Sequence, residues 1–152
     1  MLGIISDSHG LLRPEVLTAL QGVDRIIHAG DVGDHPAILD RLAEIAPVTA
    51  VRGNIAEDAH LPLSEVVELE GHRLYVFHIL DDLDLDPVAA GFAAVIYGHS
   101  HQPQIERRND VLYLNPGSIG QRRFKLPVSM AKLWIEAGAL KAELITLPAD
   151  TD

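Results

Sequence analysis

The chain has 152 residues, of which 47% are hydrophobic and 22% are charged. This composition excludes intrinsic disorder, and the length predicts a single domain that spans residues 1–152. No apolar run approaches the ~18 residues of a membrane span, and the first residues lack the basic flank of a signal peptide. The absence of cysteine excludes disulfide bonds and thiolate metal sites. Together these features predict a cytoplasmic protein with no membrane partner.

Twenty-two acidic residues against twelve basic residues give a net charge of −10 with histidine neutral. This balance argues against the basic surface by which proteins bind long nucleic acids. Two interpretations of the acidity stay open. One is a solvated surface that favours solubility, and the other is a set of acidic metal ligands whose charge bound cations would offset. Eight histidines give weight to the second interpretation.

Apolar runs separated by turn signals predict alternating strands and helices in the first half of the chain. The predicted elements are a strand at 2–6, a helix at 14–21, a strand at 24–29, a helix at 36–46 and a strand at 48–52. In the second half we predict strands at 66–70, 74–78, 93–97, 111–114, 129–135 and 140–147, with a short helix at 86–90. Such β-α-β units followed by antiparallel pairs favour an α/β fold of two stacked mixed sheets with helices outside.

Polar side chains follow five of these predicted strands at the points where the strands end. The residues are Asp7 and His9, Asp31, Asn54, His78, and finally His99 and His101. Ligand sites in open α/β sheets lie beyond the carboxyl ends of the strands, so we expect these side chains to converge. A single strand-end histidine is more often a core or surface residue, but five such blocks in succession favour one shared site.

The residue types indicate a metal site. Carboxylate, amide and imidazole ligands without cysteine suit manganese, iron, zinc or nickel. Seven candidate ligands are too many for one tetrahedral zinc ion, but they fit two cations that share a bridging carboxylate. Paired cations of this kind recur in phosphatases and nucleases, where they activate water and stabilise the transition state of phosphoryl transfer.

In the order of these five blocks the chain resembles the calcineurin-like metallophosphoesterase superfamily. Its short length and the stretch Asn115-Pro116-Gly117-Ser118 are similar to the small YfcE-like phosphodiesterase branch of that superfamily. The resemblance extends from about Leu2 to Leu147. It implies a four-layer α/β/β/α sandwich, in which two mixed β-sheets are flanked by helices, and a dinuclear metal site.

The resemblance also implies how the ligands divide between two cations. One cation would bind Asp7, His9, Asp31 and His101, and the other would bind Asp31, Asn54, His78 and His99. Asp31 would bridge them, and a bridging hydroxide would attack phosphorus in line. Catalytic roles fall to His9 and to Asn54, which would also hold the phosphate. Two divalent cations are therefore the expected cofactors, manganese first, with iron, zinc or nickel as alternatives.

Two positions depart from the pattern of the superfamily. Ile55 stands where many members carry a histidine that is thought to protonate the leaving group. Glu57 and Asp58 follow closely and are candidate substitutes, although a solvated acidic loop is the preferred interpretation. Ile79 follows His78 where glycine or aspartate is often found, which makes the local backbone conformation the point in question.

Weaker assignments concern the substrate and other polar residues. Arg122 and Arg123, with Arg52, are candidate phosphate clamps, because guanidinium groups match phosphate oxygens. His28 is either a supporting residue of the site or a buried strand residue. Residues 115–118 either contact the substrate or shape a loop. We expect three further histidines to lie on the surface, namely His35, His60 and His72.

The sequence favours a metal-dependent phosphodiesterase that acts on a small phosphoester. A catalytically inert interaction scaffold is the alternative, suggested by the retromer subunit that shares this fold but lacks the histidine of the first motif. A phospho-receiver domain is a third class, and it does not explain four strand-end histidines. A homo-oligomer is an open question, since the C-terminal region packs either internally or against a second copy through Phe124, Leu126, Met130 and Trp134.

Overall fold

Two five-stranded mixed β-sheets stack face to face around a shared apolar core. The computed structural model describes residues 1–34, 36–123 and 125–148. In chain order the elements are β1 (Leu2–Ile5), α1 (Pro14–Ala19), β2 (Arg25–His28), α2 (Ala37–Ala43), β3 (Val48–Ala50), β4 (Glu65–Leu69), β5 (His72–Val76), β6 (Ala94–Ile96), β7 (Gln104–Arg108), β8 (Val111–Asn115), β9 (Val128–Glu136) and β10 (Ala139–Leu147). Two 3-10 turns lie at Ala56–Asp58 and Leu80–Asp82.

The first sheet has the strand order β10-β9-β1-β2-β3, in which β1, β2 and β3 run parallel. Helices α1 and α2 connect these parallel strands and bury Val16, Ile38 and Leu42 in an apolar cluster with residues of the sheet. Pro14 begins α1, where the missing N–H has no intrahelical acceptor to lose. Within the described residues, neither helix is long and apolar enough to cross a membrane.

The second sheet has the order β4-β5-β6-β8-β7, with parallel strands at its centre and an antiparallel strand at each edge. An aromatic cluster on this sheet includes Phe77, Tyr97 and Tyr113. Leu80 begins the 3-10 turn that follows β5, and Leu83 comes directly after this turn. Both side chains pack against these rings. This outer layer is therefore a short turn and a loop, whereas two α-helices flank the first sheet.

The core between the sheets consists of side chains from both inner faces. Ile4, Ile27 and Leu133 come from the first sheet, and Leu74 and Ile96 come from the second, each with no more than 1% of its surface exposed. Residues that alternate along a strand point to opposite faces, so the same strands also supply the outer clusters. This core fixes the relative position of the two sheets and thus of the loops at their carboxyl ends.

The predicted fold class of two stacked mixed sheets is confirmed, with α-helices on the outer face of the first sheet, whereas the described residues on the outer face of the second sheet form a 3-10 turn and a loop instead of helices. Residues 86–90, by contrast, do not form the predicted helix. They form a turn in which the Ala90 N–H donates to the Asp86 carbonyl (2.9 Å) and the Asp86 side chain accepts from the Val88 N–H (3.1 Å). Pro87 and the closely following Gly91 limit the segment to one turn.

Strand β7 was not predicted. Its sequence, Gln-Ile-Glu-Arg-Arg, is mostly polar because the strand lies at an edge of the sheet and is largely exposed. Edge strands commonly carry charges that discourage pairing with other chains, so they lack the apolar pattern of a buried strand. Such a strand is recognised in the structure by its hydrogen bonds to a neighbouring strand, which here is β8.

His28 ends β2 as a fully buried residue. Its Nδ1 accepts from the Gly30 N–H (3.2 Å), so its Nε2–H donates to Ser8 Oγ (2.9 Å), and Ser8 in turn donates to the Val32 carbonyl (2.6 Å). Burial lowers the pKa of His28 from 6.5 to about 4. The neutral imidazole therefore joins the loops that follow β1 and β2, and both sequence interpretations of His28 hold in part.

We expect Leu74→Ala to lower the free energy of unfolding by about 2–5 kcal/mol, because it opens a cavity in the core between the sheets. Val88→Ala is the matched control, since Val88 is 54% exposed and its truncation should change stability by less than about 0.5 kcal/mol. Urea unfolding followed by circular dichroism measures both. Equal losses in the two variants would contradict the assignment of Leu74 to the core.

A second expectation concerns acid stability. Because the pKa of His28 is lowered on folding, the unfolded chain binds the additional proton between pH 6.5 and about 4. The contribution of neutral His28 to the free energy of unfolding, about 3 kcal/mol, is present above pH 6.5 and is lost as the pH falls toward 4. Urea unfolding of metal-free protein at several pH values should show a shallower pH dependence for His28→Gln than for the wild type. Parallel curves for the two proteins would contradict this expectation.

Candidate metal centre

The loops that follow β1, β2, β3, β5 and β6 meet at one end of the two sheets. They bring six of the seven predicted ligands into two groups, and within each group the candidate ligand atoms lie within 4.8 Å of one another. The first group is Asp7, His9 and His101, and the second is Asp31, His78 and His99. The structure thus places together the side chains that the sequence predicted to converge.

Two carboxylate oxygens join the two groups. Asp31 Oδ2 lies 3.4 Å from His9 Nε2 and 3.2 Å from His78 Nε2. Asp7 Oδ1 lies 3.4 Å from His101 Nε2, 3.7 Å from His9 Nε2 and 3.8 Å from His78 Nε2. Both carboxylates therefore lie near imidazoles of both groups, and Asp31 Oδ2 does so at the shorter distances.

The backbone at these positions adopts an uncommon conformation. Five of the predicted ligands have a positive φ: Asp7 (58°), His9 (48°), Asp31 (57°), His99 (74°) and His101 (63°). Residues other than glycine enter this left-handed region at an energetic cost, and such residues concentrate at functional sites. Sheet-like hydrogen bonds continue into the loops, since Asp7 N–H donates to Gly30 O and His9 N–H to Asp31 O, each at 2.9 Å.

Two glycines in the motifs provide room for the carboxylates. A Cβ atom at Gly53 would collide with the Asp31 carboxylate, and a Cβ atom at Gly98 would collide with Ser6 Oγ and Asp7 Oδ2. These glycines are required by the close approach of loops from different strands. Steric exclusion of any side chain therefore explains why glycine precedes Asn54 and His99 in the sequence.

Asp7 is fully buried, and its two oxygens have different surroundings. Oδ2 accepts hydrogen bonds from Ser6 Oγ (2.6 Å) and from the His99 N–H (3.1 Å). Oδ1 has no hydrogen-bond partner among the described residues and faces the imidazoles. Burial alone would raise the pKa of Asp7, but His101, His9 and Ser6 outweigh it, so this pKa lies well below its ordinary value.

Asp31 and His78 are oriented in the same way by their unused atoms. Asp31 Oδ1 accepts from the Asn54 backbone N–H (2.6 Å), which leaves Oδ2 for the imidazoles. His78 Nδ1–H donates to the Ala29 carbonyl (2.7 Å), which leaves Nε2 toward the centre. Burial lowers the pKa of His78, but the neighbouring Asp31 and Asp7 carboxylates raise it more, so the net shift is upward. Partners of this kind fix the ring tautomer in metal sites.

The chemistry of these residues fits divalent cations. Asp7 Oδ1 and His9 Nε2 are buried atoms without a hydrogen-bond partner among the described residues, and they face each other across 3.7 Å. A buried charged or polar atom without a partner is costly, and a cation between such atoms satisfies them at once. Carboxylate oxygens and imidazole nitrogens are ligands that suit first-row divalent metals.

Asn54 lies beside the second group, on an exposed position of the loop that follows β3. One terminal atom of its carboxamide is 3.1 Å from His78 Nε2 and 2.9 Å from Asp31 Oδ2. An amide nitrogen there donates to the carboxylate, whereas the amide oxygen there would face a cation. His99 is also exposed, so the centre opens to solvent at these two residues.

The predicted substrate arginines lie on the loops that follow β3 and β8. Arg122 and Arg123 are exposed on the loop between β8 and β9, where Arg122 Nε donates to the Leu126 carbonyl (3.1 Å). That loop leaves the site at Gly120, which packs on the carbonyl groups of Asp7 and Ser8. Arg52 is half-buried, and its Nε donates to the Leu61 carbonyl (3.0 Å). Their role toward a phosphate stays a prediction.

The stretch 115–118 shapes the loops around the centre. Asn115 Nδ2 donates to the Gly98 carbonyl (3.2 Å) and to Ser100 Oγ (3.1 Å), and Ser118 Oγ donates to the Asp7 carbonyl (3.0 Å). Asn115 and Ser118 are 1% and 4% exposed, so these side chains serve the protein interior. The loop-shaping alternative of the sequence analysis is the one that the structure favours.

Asp58 is a positioning residue that the sequence analysis missed. It is fully buried, and its carboxylate accepts hydrogen bonds from the backbone N–H groups of Val32 (3.1 Å), Gly33 (3.4 Å) and Gly53 (2.9 Å). These contacts join the loop of Asp31 to the loop of Asn54. The preferred interpretation of a solvated acidic loop is wrong for Asp58, although Glu57 is exposed as expected.

The remaining predictions have simpler outcomes. Ile79 has an extended backbone (φ −110°), which a β-branched residue adopts without strain, so glycine is not required there. His60 is exposed and His72 is half-buried. Met130 is buried inside the chain and Trp134 is half-buried. His35 and Phe124 lie outside the described residues.

Comparison with known proteins identifies the family of this chain. The family model of the calcineurin-like phosphoesterase superfamily domain matches residues 1–138. A probable metallophosphoesterase of Methanocaldococcus jannaschii is 37% identical, over 97% of this chain and 81% of the relative. Phosphodiesterase YfcE of Escherichia coli is 32% identical, over 84% of each chain.

Solved structures show the same fold. The structure of Escherichia coli YfcE, a phosphoesterase, superposes with a TM-score of 0.66 at 28% identity over 86% of each chain. Vps29 of Chaetomium thermophilum superposes with a TM-score of 0.75 at 18% identity over 97% of each chain, which shows a shared fold. The chain belongs to the calcineurin-like phosphoesterase superfamily and is a metal-dependent phosphoester hydrolase.

Proposed function

We propose that this protein is a phosphodiesterase that uses two divalent cations. Manganese is the preferred candidate, with iron, zinc or nickel as alternatives. The observation that carries the proposal is the position of Asp31 Oδ2 within 3.4 Å of imidazoles from both ligand groups. Iron, zinc and nickel stay in the proposal because ligands of this kind accept several first-row metals.

The seven ligands divide between the two cations according to the groups that they form. Asp7, His9 and His101 would hold one cation, while His78, His99 and Asn54 would hold the other, and Asp31 would serve both. When bound, two such cations supply an activated water, a bridging hydroxide in this proposal, and positive charge for in-line displacement at phosphorus. Around them, the protein fixes ligand orientation through Ser6, Ala29 and the Asn54 N–H.

Asn54 and His9 would act closest to the phosphate. Both belong to the opening of the site, because Asn54 is exposed and the His9 side chain is 21% exposed. The Asn54 carboxamide can donate to a phosphate oxygen, and Arg122 and Arg123 would contribute positive charge from the neighbouring loop. Ile55 offers no proton to a leaving group, so esters with an acidic leaving group would react fastest.

The proposed substrate is a small phosphoester. The excess of acidic residues, with a net charge of −10, disfavours a long polyanion such as nucleic acid. We further propose that residues 1–152 form one domain, and that Met130 serves the interior of one chain, since it is fully buried within it. The alternative function is an interaction scaffold without catalytic activity. Whether the chain forms a homo-oligomer is a separate question, which analytical ultracentrifugation answers.

The first test is hydrolysis of bis-p-nitrophenyl phosphate by protein stripped with a chelator and then supplied with Mn²⁺. We expect turnover to return with the metal, and Asp31→Asn to lower it by about 100-fold or more. Loss of a supporting residue in a metal site commonly costs 10–100-fold, and loss of a shared ligand should cost at least as much.

Asp34→Asn is the control, because Asp34 is an exposed carboxylate on the same loop as Asp31. It should keep wild-type activity. An inert wild type with Mn²⁺, Fe²⁺, Ni²⁺ and Zn²⁺ would overturn the proposal in favour of the scaffold alternative. Unchanged activity of Asp31→Asn would refute the bridging role.

The second test concerns Asp58. We expect Asp58→Asn to weaken Mn²⁺ binding by about 10–100-fold, because its amide cannot accept all three backbone N–H groups and the loops of Asp31 and Asn54 then separate. Calorimetric titration of Mn²⁺ into stripped protein measures this. Glu57→Gln is the matched control, since Glu57 is the exposed neighbour on the same turn. Equal affinities in the two variants would contradict the positioning role.

A further inference from the structure

A cavity of about 310 Å³ lies directly beside His78. Gly53 and His78 line it, so it adjoins two of the loops that form the second ligand group. Its volume lies at the lower end of the range for small-molecule sites, about 300–1,000 Å³. A ligand in this cavity therefore lies next to the metal centre.

The walls of the cavity combine aromatic and aliphatic surface. Tyr75 and Phe77 line it, and their ring centroids are 5.2 Å apart. Leu63 stands at the same cavity with 67% of its surface exposed, which is the largest exposure among the large hydrophobic residues of the described chain. An apolar side chain left in solvent beside aromatic rings matches a flat, partly apolar ligand.

The polar groups of the cavity are mostly hydrogen-bond acceptors. Asp82 and Asp84 line it as exposed carboxylates, and Ser64 contributes a hydroxyl. Carboxylates accept hydrogen bonds from hydroxyl and amine groups and repel a further phosphate. Arg52 also lines the cavity, with its Nε bonded to the Leu61 carbonyl. Two carboxylates against one guanidinium leave this lining acidic, so the favoured ligand is an uncharged, planar group that carries hydroxyl or N–H donors.

We propose that this cavity binds the nucleoside arm of a nucleoside phosphodiester while the phosphate occupies the metal centre. This inference rests on the proposed phosphodiesterase function and names its substrate class. A nucleobase provides a flat ring for the aromatic wall, and the sugar and base provide hydroxyl and N–H donors for the carboxylates. A substrate arm with a terminal phosphate is disfavoured, as is a long nucleic acid.

The test compares two substrates that share one leaving group. Thymidine 5′-(p-nitrophenyl phosphate) carries a nucleoside arm, whereas methyl p-nitrophenyl phosphate carries an arm too small to enter the cavity. With Mn²⁺-loaded protein, we expect kcat/KM to be about tenfold or more higher for the nucleoside ester, through a lower KM. Equal kcat/KM values for the two esters would overturn the inference and leave the phosphodiesterase function standing.

Variants of the cavity locate the effect. Leu63→Ala and Asp82→Asn should each raise KM for the nucleoside ester about fivefold, the effect of one lost contact, and leave the methyl ester unchanged. Val66→Ala and Asp81→Asn are the matched controls, because both residues are exposed neighbours outside the lining of this cavity. A parallel loss with both substrates, or an equal effect of the controls, would overturn the inference.

A binding measurement separates this inference from the phosphodiesterase function. Thymidine, which carries no phosphate, is titrated into metal-free protein while the backbone amide signals are followed by NMR. We expect saturable shifts at Gly53, Ser64 and Ile79, and weaker binding by Leu63→Ala. Such shifts in a protein that hydrolyses neither ester would support the cavity and overturn the phosphodiesterase function. The absence of these shifts at millimolar thymidine would overturn the cavity assignment.

Discussion

Two buried carboxylates, Asp7 and Asp31, carry negative charge at a place where the protein compensates it only in part. Each has one oxygen fixed by protein donors and one oxygen that faces imidazole nitrogens. A buried charge is costly unless it is paired. The opposing imidazole nitrogens carry lone pairs, which can bind either a proton or a cation. A cation satisfies both kinds of group, so the centre depends on it for electrostatic balance.

Hydrogen bonds from backbone N–H groups to buried side chains help to hold the loops of this centre. Five ligands occupy left-handed backbone conformations, which cost free energy unless the surroundings impose them. Asp58 supports the loop of Asp31 by accepting from the Val32 N–H, and it links this loop to Gly53. His28 supports the loops of Asp7 and Asp31 by joining Ser8 to Gly30. Because both residues are buried and distant from solvent, the strain at the ligands is sustained by the interior of the protein.

The sequence predicts this centre well because its ligands follow apolar strands, and the ends of parallel strands meet at one edge. The two stacked sheets were predicted for the same reason, from the apolar pattern of strands such as β1 and β6. Strand β7 escaped prediction because an exposed edge strand has no apolar pattern. Asp58 escaped because an acidic residue in a loop is usually solvated, whereas here backbone donors come from Val32 and Gly33, 26 and 25 positions away, and from Gly53. Backbone donors leave no trace in residue type, so only the folded chain identifies such a carboxylate.

The position of Ile55 connects the centre with the cavity beside it. Without a proton donor at that position, the protein offers little help to a poor leaving group, and the rate depends more on how the remainder of the substrate is held. In the proposed function the centre would contact the phosphate, which all phosphodiesters share, so selectivity would come from surfaces that contact the organic arms. Tyr75, Leu63 and Asp82 form such a surface within reach of the loop that carries His78. In this proposal, binding energy gained there would orient phosphorus for attack, so the choice of substrate would depend on β5 and the loops beside it, and the shared chemistry on the residues at the ends of the strands.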